Sequence, residues 1–182
     1  LWSTMMEPAL EPDPVVVEAI NRLRASNRFK VAALTNNFSP SPLPSCSPSS
    51  SRARDPTATP SYRPTSAAAL RAALHATARE AGETKGAGND VMRGLFDAYF
   101  ESCVEGLRKP DPRFFRLALT RLGVKAEETV FLDDIGHNLA AARGVGMRTI
   151  RVHHGRSSEA IEELERLLEM DLGLRGSVSA KL

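Results

Sequence analysis

Residues 129–152 read Thr-Val-Phe-Leu-Asp-Asp-Ile-Gly-His-Asn-Leu-Ala-Ala-Ala-Arg-Gly-Val-Gly-Met-Arg-Thr-Ile-Arg-Val. The apolar run Val130 to Leu132 predicts a buried strand, Asn138 to Arg143 a helix, and Thr149 to Val152 a second strand. This order is typical of a parallel βαβ unit, in which reactive groups lie beyond the carboxyl ends of the strands. The adjacent acids Asp133 and Asp134 follow the first strand, so this strand end is a candidate site.

The acidic pair allows two interpretations. Neighbouring carboxylates repel each other, so a fold that keeps both ionised usually supplies a cation. Oxygen ligands favour a hard ion, and Mg²⁺ is the first choice. The plainer alternative is that one carboxylate caps the following helix while the other faces water.

A second polar group follows the apolar run from Phe29 to Leu34, where Thr35, Asn36 and Asn37 occur together. A hydroxyl and two amides at a strand end can donate hydrogen bonds to an anion without adding charge. An Asn-Asn pair is also common in ordinary polar turns, so the triplet alone leaves both interpretations open.

A third feature is Lys109, which precedes Pro110 and is therefore expected to be extended at an element boundary. Asp111-Pro112 predicts the start of a helix whose buried stripe includes Phe114 and Phe115. Taken alone, a lysine at this position is an ordinary solvated charge.

Three segments resemble, in order, the second, third and fourth motifs of the haloacid dehalogenase-like (HAD) hydrolases. They are Leu-Thr-Asn-Asn from residue 34, Gly-Leu-Arg-Lys-Pro-Asp-Pro-Arg-Phe-Phe from residue 106, and Val-Phe-Leu-Asp-Asp-Ile-Gly-His-Asn from residue 130. Their form is similar to the phosphatase domain of soluble epoxide hydrolase. The resemblance implies an α/β fold, a three-layer Rossmann-like core with a parallel sheet, and a Mg²⁺-dependent phosphatase acting on small phosphate monoesters through an aspartyl phosphate.

The resemblance also implies a role for each matching residue. Thr35 and Asn36 are expected to bind the transferring phosphoryl group, and Lys109 to neutralise the nucleophile and the phosphate. Asp134 is expected to be the direct Mg²⁺ ligand, with Asp133 and Asn138 as supporting partners.

The first motif of such enzymes is missing, because no Asp-x-Asp occurs among the 182 residues. The chemistry needs one carboxylate as nucleophile and a second as general acid. We therefore expect an inactive fragment that lacks the nucleophile strand and most of the cap. The resemblance places the missing strand between the strands that end at Thr35 and Asp133. The alternative is a non-catalytic binding or regulatory module or a truncated gene product. A 2-haloacid dehalogenase is less favoured, because that chemistry needs no metal.

Composition changes along the chain predict four regions. Residues 1–38 hold the cap exit, a helix from Pro14 and the second-motif strand. Residues 39–90 form a low-complexity insertion, rich in Ser and Pro up to Thr65 and therefore predicted to be disordered, with a helix near 66–82. Residues 91–170 complete the core, with a strand over Tyr99 to Val104, and residues 171–182 form a frayed tail.

The charge pattern limits the partners. The net charge of +2 comes from interspersed residues, so neither a nucleic-acid nor a membrane partner is predicted. Two cysteines give no disulfide framework, and no apolar run approaches the roughly 20 residues that span a bilayer. We expect a cytoplasmic protein whose partner is a small phosphate ester. No feature of the sequence indicates a particular oligomeric state.

Overall fold

The computed structural model describes residues 12–37, 66, 69, 72 and 92–174. The predicted disordered tract over residues 39–65 lies outside them, as do most of the predicted helix near 66–82 and the end of the predicted tail. In chain order the helices and strands are α1 Pro14–Ala25, β1 Ala32–Thr35, β2 Ala98–Glu101, α2 Ser102–Glu105, α3 Pro112–Leu122, β3 Val130–Asp133, α4 Gly136–Val145, β4 Arg148–Arg151 and α5 Ser157–Leu168, with a 3-10 turn at Ala126–Glu128.

The chain divides into two compact units. Among the described residues, the first unit contains 12–31, 66, 69, 72, 92–96 and 153–174, and the second contains 32–37 and 97–152. All residues of the candidate site therefore belong to the second unit.

In the first unit, Asp13 is the N-cap of α1, and its carboxylate accepts a hydrogen bond from the Val15 N–H at 2.9 Å. The proline that follows Asp13 suits the first turn, because its missing N–H would have no helical partner there. The apolar face of α1 buries Val17 and Ile20 against Leu95. This unit has its own small hydrophobic core, to which the predicted helix contributes as expected.

The second unit contains two pairs of parallel strands. β1 pairs with β2 from Ala32 opposite Ala98 to Thr35 opposite Glu101. β3 pairs with β4, and α4 connects them, which confirms the predicted parallel βαβ unit. Across the described parts of the chain the four strands form two separate two-stranded sheets, with β1 and β3 each hydrogen-bonded to one neighbour.

Side chains of helix α3 belong to two apolar clusters of the second unit. Phe114 packs with Phe100 in one cluster, and Phe115 packs with Ala142 in the other; all four residues are fully buried. Leu34 of β1 contacts both clusters. The sequence predicted the buried Phe114 and Phe115 stripe correctly, and with it the face that α3 turns inward.

The predicted strand over Tyr99 to Val104 is wrong in its second half. β2 ends at Glu101, and the next four residues form the short helix α2, which Gly106 ends with a left-handed φ of +66°. The pairing with β1 ends at Thr35 opposite Glu101, and Val104 lies on α2, where it is 46% exposed. No helix within the described residues has both the length and the apolar character required to cross a bilayer.

Candidate active site

Asp133, the last residue of β3, is buried and accepts hydrogen bonds from three groups. Its Oδ2 lies 2.7 Å from the Lys109 Nζ, and its Oδ1 accepts the Ile135 N–H at 2.8 Å. The Asn138 Nδ2, on the first turn of α4, lies 3.1 and 3.2 Å from the two carboxylate oxygens. Because these donors reach both oxygens, the carboxylate is fixed in orientation.

Two opposing effects act on the pKa of Asp133. Burial by itself raises it, because a carboxylate loses hydration inside a protein. The hydrogen bonds from the Lys109 ammonium, the Ile135 N–H and the Asn138 amide, together with the charge of Lys109, outweigh burial and hold the pKa of Asp133 below its ordinary value. The carboxylate is therefore ionised at neutral pH and forms a part-buried ion pair with Lys109.

Lys109 is held at both its side chain and its backbone. The side chain is 12% exposed, and its Nζ lies 5.4 Å from the centre of the Phe131 ring, close enough for a cation–π interaction. The backbone N–H donates to the Asn36 Oδ1 at 2.8 Å, and the backbone carbonyl accepts from the Asn36 Nδ2 at 2.9 Å. The predicted site residues Asn36, Lys109, Asp133 and Asn138 thus form one connected hydrogen-bond network.

Asp134 differs sharply from its neighbour. It is exposed, and it makes no hydrogen bond or ion pair with any residue that the structure describes. The capping alternative is correct only in part: Asp133 accepts the N–H of Ile135, but Ile135 is itself the N-cap of α4, and no side chain caps that helix. The water-facing acid expected by this alternative is Asp134.

The donor set for Mg²⁺ at this strand end is small. Both oxygens of Asp133 are already hydrogen-bonded, so Asp134 offers the free carboxylate. Within the described ranges no cluster of three or more His, Cys, Asp or Glu side chains is arranged to hold a metal. One carboxylate plus waters is nevertheless a common way for proteins to bind Mg²⁺, so the residues present fit that ion as a weak site.

Thr35 ends β1 opposite Glu101 and is half-buried. Its hydroxyl makes no hydrogen bond with the described residues, so it remains available to a ligand. Next along the chain, both polar atoms of the Asn36 side chain are bonded to Lys109. The substrate contacts predicted for these two residues stay predictions.

The family model of the haloacid dehalogenase-like hydrolases matches residues 4–146. The chain belongs to this family of hydrolases. The match confirms the resemblance inferred from three short motifs, and it covers well over half of the chain.

Several proteins are similar to part of this chain. The chain is 49% identical over 82 residues to acyl-CoA dehydrogenase family member 10 of Mus musculus, covering 45% of this chain and 8% of that protein. It is 46% identical over 72 residues to bifunctional epoxide hydrolase 2 of Mus musculus, covering 40% of this chain and 13% of that protein. It is 40% identical over 74 residues to the sesquiterpene phosphatase astK of Aspergillus oryzae, covering 41% of this chain and 37% of that protein. The chain thus spans less than half the length of each of these relatives.

A second polar network of this HAD-like hydrolase was not predicted from sequence. The Asn37 Nδ2 donates to the Glu101 Oε1 at 2.7 Å, and the Asn37 N–H donates to the Ser102 Oγ at 3.0 Å. The Asn37 Oδ1 accepts the Cys103 N–H at 3.3 Å. These bonds join the carboxyl ends of β1 and β2. The signal in the sequence that could have indicated this network was Glu101, a charged residue directly after an apolar run. In the structure this residue is buried.

Proposed function

We propose that this chain carries the phosphate-binding and Mg²⁺-binding part of a phosphatase that acts on phosphate monoesters. The observation that carries the proposal is the part-buried Lys109–Asp133 ion pair, 2.7 Å long, directly beside the exposed Asp134, which has no hydrogen-bond or ion-pair partner among the described residues. A fixed cation next to a free carboxylate suits a dianionic ligand that arrives with a divalent metal. One of the relatives is named a phosphatase, which supports the same reaction class.

In this proposal the chain's own residues bind and orient the phosphoryl group. The Lys109 ammonium and the Thr35 hydroxyl donate to its oxygens. Asp133 keeps Lys109 in place, and its own negative charge is balanced by that lysine, so it adds little repulsion toward the phosphate. Asp134 would hold Mg²⁺, which neutralises charge on the phosphoryl oxygens when it is bound.

The covalent step needs groups that these 182 residues do not contain. A carboxylate must attack phosphorus and form an aspartyl phosphate, while a second acid gives its proton to the departing alcohol; water then hydrolyses the intermediate. No Asp-x-Asp is present in the sequence to supply the two acids. We therefore propose that the 182-residue chain binds phosphate without hydrolysing phosphate esters.

The test combines binding and turnover. Inorganic phosphate is titrated into the chain with Mg²⁺ and followed by NMR, and hydrolysis of p-nitrophenyl phosphate is measured under the same conditions. The expected result is phosphate binding that Lys109→Met abolishes, without turnover. Lys125→Met is the matched control, because Lys125 is exposed and lies outside the network. Phosphate binding that is unchanged in Lys109→Met would overturn the assigned role of this lysine.

A second experiment addresses the missing acids. Where the parental transcript encodes an Asp-x-Asp before Leu1, a chain extended to include it should hydrolyse p-nitrophenyl phosphate in a Mg²⁺-dependent manner. The same rate in the short chain would show that hydrolysis does not need the Asp-x-Asp carboxylates.

A non-catalytic phosphate-binding module is the second candidate. The absence of Asp-x-Asp from the sequence favours it directly, because every other motif of the site is present. It predicts Lys109-dependent phosphate binding in both the short and the extended chain, with turnover in neither. The turnover of the extended chain therefore separates the two candidates.

A further inference from the structure

One amide side chain fixes the backbone of the site lysine. Asn36 accepts a hydrogen bond from the Lys109 N–H and donates one to the carbonyl of the same residue, at 2.8 and 2.9 Å. The two residues are 73 positions apart in the sequence. The planar amide therefore binds Lys109 as a neighbouring strand would, with one acceptor and one donor on a single residue.

The segment that carries Lys109 is not part of the regular secondary structure. Lys109 lies between α2 and α3, outside any helix or strand, and its neighbours Arg108 and Pro110 are exposed. A turn bond from the Asp111 N–H to the Arg108 carbonyl, at 2.9 Å, closes the segment locally without attaching it to a strand. The Asn36 bonds provide such an attachment, because Asn36 directly follows β1.

The position of the Lys109 backbone decides where its ammonium can reach. The side chain has several rotatable bonds, so a shift of its Cα moves the whole range of positions open to Nζ. In the structure Nζ contacts Asp133 at 2.7 Å and lies above the Phe131 ring. Both contacts require the backbone to approach the end of β3 closely.

We propose that Asn36 is a positioning residue, whose amide clamps the Lys109 backbone so that the ammonium is presented at the phosphate site. The effect of this role on catalysis rests on the proposed phosphatase function. The hydrogen bonding of Asn36 to the Lys109 backbone is independent of that function. This role differs from the substrate contact that the family resemblance implied for the same side chain. The neighbouring Asn37 provides a natural contrast, because its amide bonds Glu101 and Cys103 and makes no hydrogen bond with Lys109.

The test uses the full 182-residue chain and three variants. Asn36→Leu removes both hydrogen bonds while nearly keeping the shape of the side chain. Asn36→Asp keeps an acceptor for the Lys109 N–H and loses the donor to the carbonyl. Asn37→Leu makes the same change one residue later and is the matched control. Far-UV circular dichroism and thermal unfolding establish which variants fold.

The first readout is local and needs no ligand. Hydrogen exchange of the Lys109 amide and the side-chain ammonium resonance of Lys109 are followed by NMR, since both depend on fixed hydrogen bonds. In Asn36→Leu we expect exchange to accelerate about tenfold or more, as the loss of such bonds predicts, and the ammonium resonance to disappear. Asn36→Asp should be intermediate in exchange, and Asn37→Leu should leave both signals unchanged even if its melting temperature falls.

Several outcomes would overturn the clamp. One is an unchanged ammonium resonance in Asn36→Leu; another is an equal loss in Asn37→Leu, which would indicate general loosening. If Asn36→Leu does not fold, the Asn36→Asp variant decides. A Lys109 amide that exchanges in this variant at the wild-type rate would also overturn the clamp.

The second readout is the affinity for inorganic phosphate with Mg²⁺, which should fall about tenfold in Asn36→Leu. A wild-type chain that shows the protected Lys109 signals but binds no phosphate contradicts the proposed function and leaves the clamp standing.

Discussion

The carboxyl ends of β1 and β3 hold their side chains by different kinds of interaction. At β3, a buried carboxylate is paired with a part-buried ammonium, so each charge depends on the other. At β1, the neutral amides of Asn36 and Asn37 bond to backbone groups and to one carboxylate. Removing one member of a buried ion pair leaves an uncompensated charge, whereas removing an amide leaves unpaired dipoles, which cost less. The end of β3 is therefore expected to be the more sensitive of the two.

The largest effect is expected for Asp133→Ala. The variant leaves the part-buried Lys109 ammonium without its carboxylate, and it also removes the acceptor of the Ile135 N–H and the Asn138 amide. The free energy of unfolding should fall by about 3–5 kcal/mol, measured by urea denaturation. Asp134→Ala is the adjacent control. Equal losses in the two variants would contradict the division between a buried and an exposed acid.

The next effect is the acid sensitivity of the same pair. The pKa of Asp133 is lowered in the folded state, so the unfolded chain takes up this proton first as the pH falls. The stabilisation by ionised Asp133 should be fully present above the ordinary Asp pKa of about 3.9 and should disappear as the pH falls through the lower folded value. This loss of unfolding free energy cannot exceed the total contribution of the Lys109–Asp133 pair to stability.

Urea unfolding over this pH range, in buffer without Mg²⁺, measures the acid effect. In Asp133→Asn this component should be missing, so the difference in unfolding free energy between wild type and variant should shrink toward acid pH. A difference that stays constant would show that Asp133 does not titrate as described.

A smaller loss is expected at β1. Asn37→Ala removes a donor to the buried Glu101 and an acceptor for the Cys103 N–H, and should cost about 1–3 kcal/mol in unfolding free energy. A double-mutant cycle with Glu101→Met, which removes the acceptor of the Asn37 amide, isolates the shared hydrogen bond; a coupling of at least about 0.5 kcal/mol is expected for residues in direct contact. Additive losses, or a loss as large as that of Asp133→Ala, would remove the contrast between the two strand ends.

The smallest effect on stability is expected for Asp134→Asn, because this side chain has no partner among the described residues. The free energy of unfolding should change by less than about 0.5 kcal/mol. The backbone resonance shifts that Mg²⁺ induces around residue 134 should nevertheless disappear. Glu163→Gln, on the exposed face of α5, is a control for nonspecific loss of charge. Persistence of the Mg²⁺ shifts in Asp134→Asn would place the ion elsewhere.

The elements that the sequence predicted well are those whose signals are local. The apolar run of β3 and the Asp111-Pro112 start of α3 act within a few residues, and the structure has a strand and a capped helix start at these places. The strand predicted over Tyr99 to Val104 extended too far, because the end of β2 depends on where its partner β1 stops, some 65 residues earlier in the chain.

The sequence indicated which types of residue form the site: acids at one strand end, amides at another and a lysine before a proline. It did so because the carboxyl ends of parallel strands lie at the same edge of a sheet. The sequence did not indicate which of the two adjacent acids is buried, or that Asn36 bonds the Lys109 backbone. Asp133 and Asp134 have the same local chemistry, and they differ because Lys109, 24 positions earlier, reaches only Asp133. Such assignments depend on distances between segments far apart in the chain, which are set when α3 packs its phenylalanines into the core of the second unit.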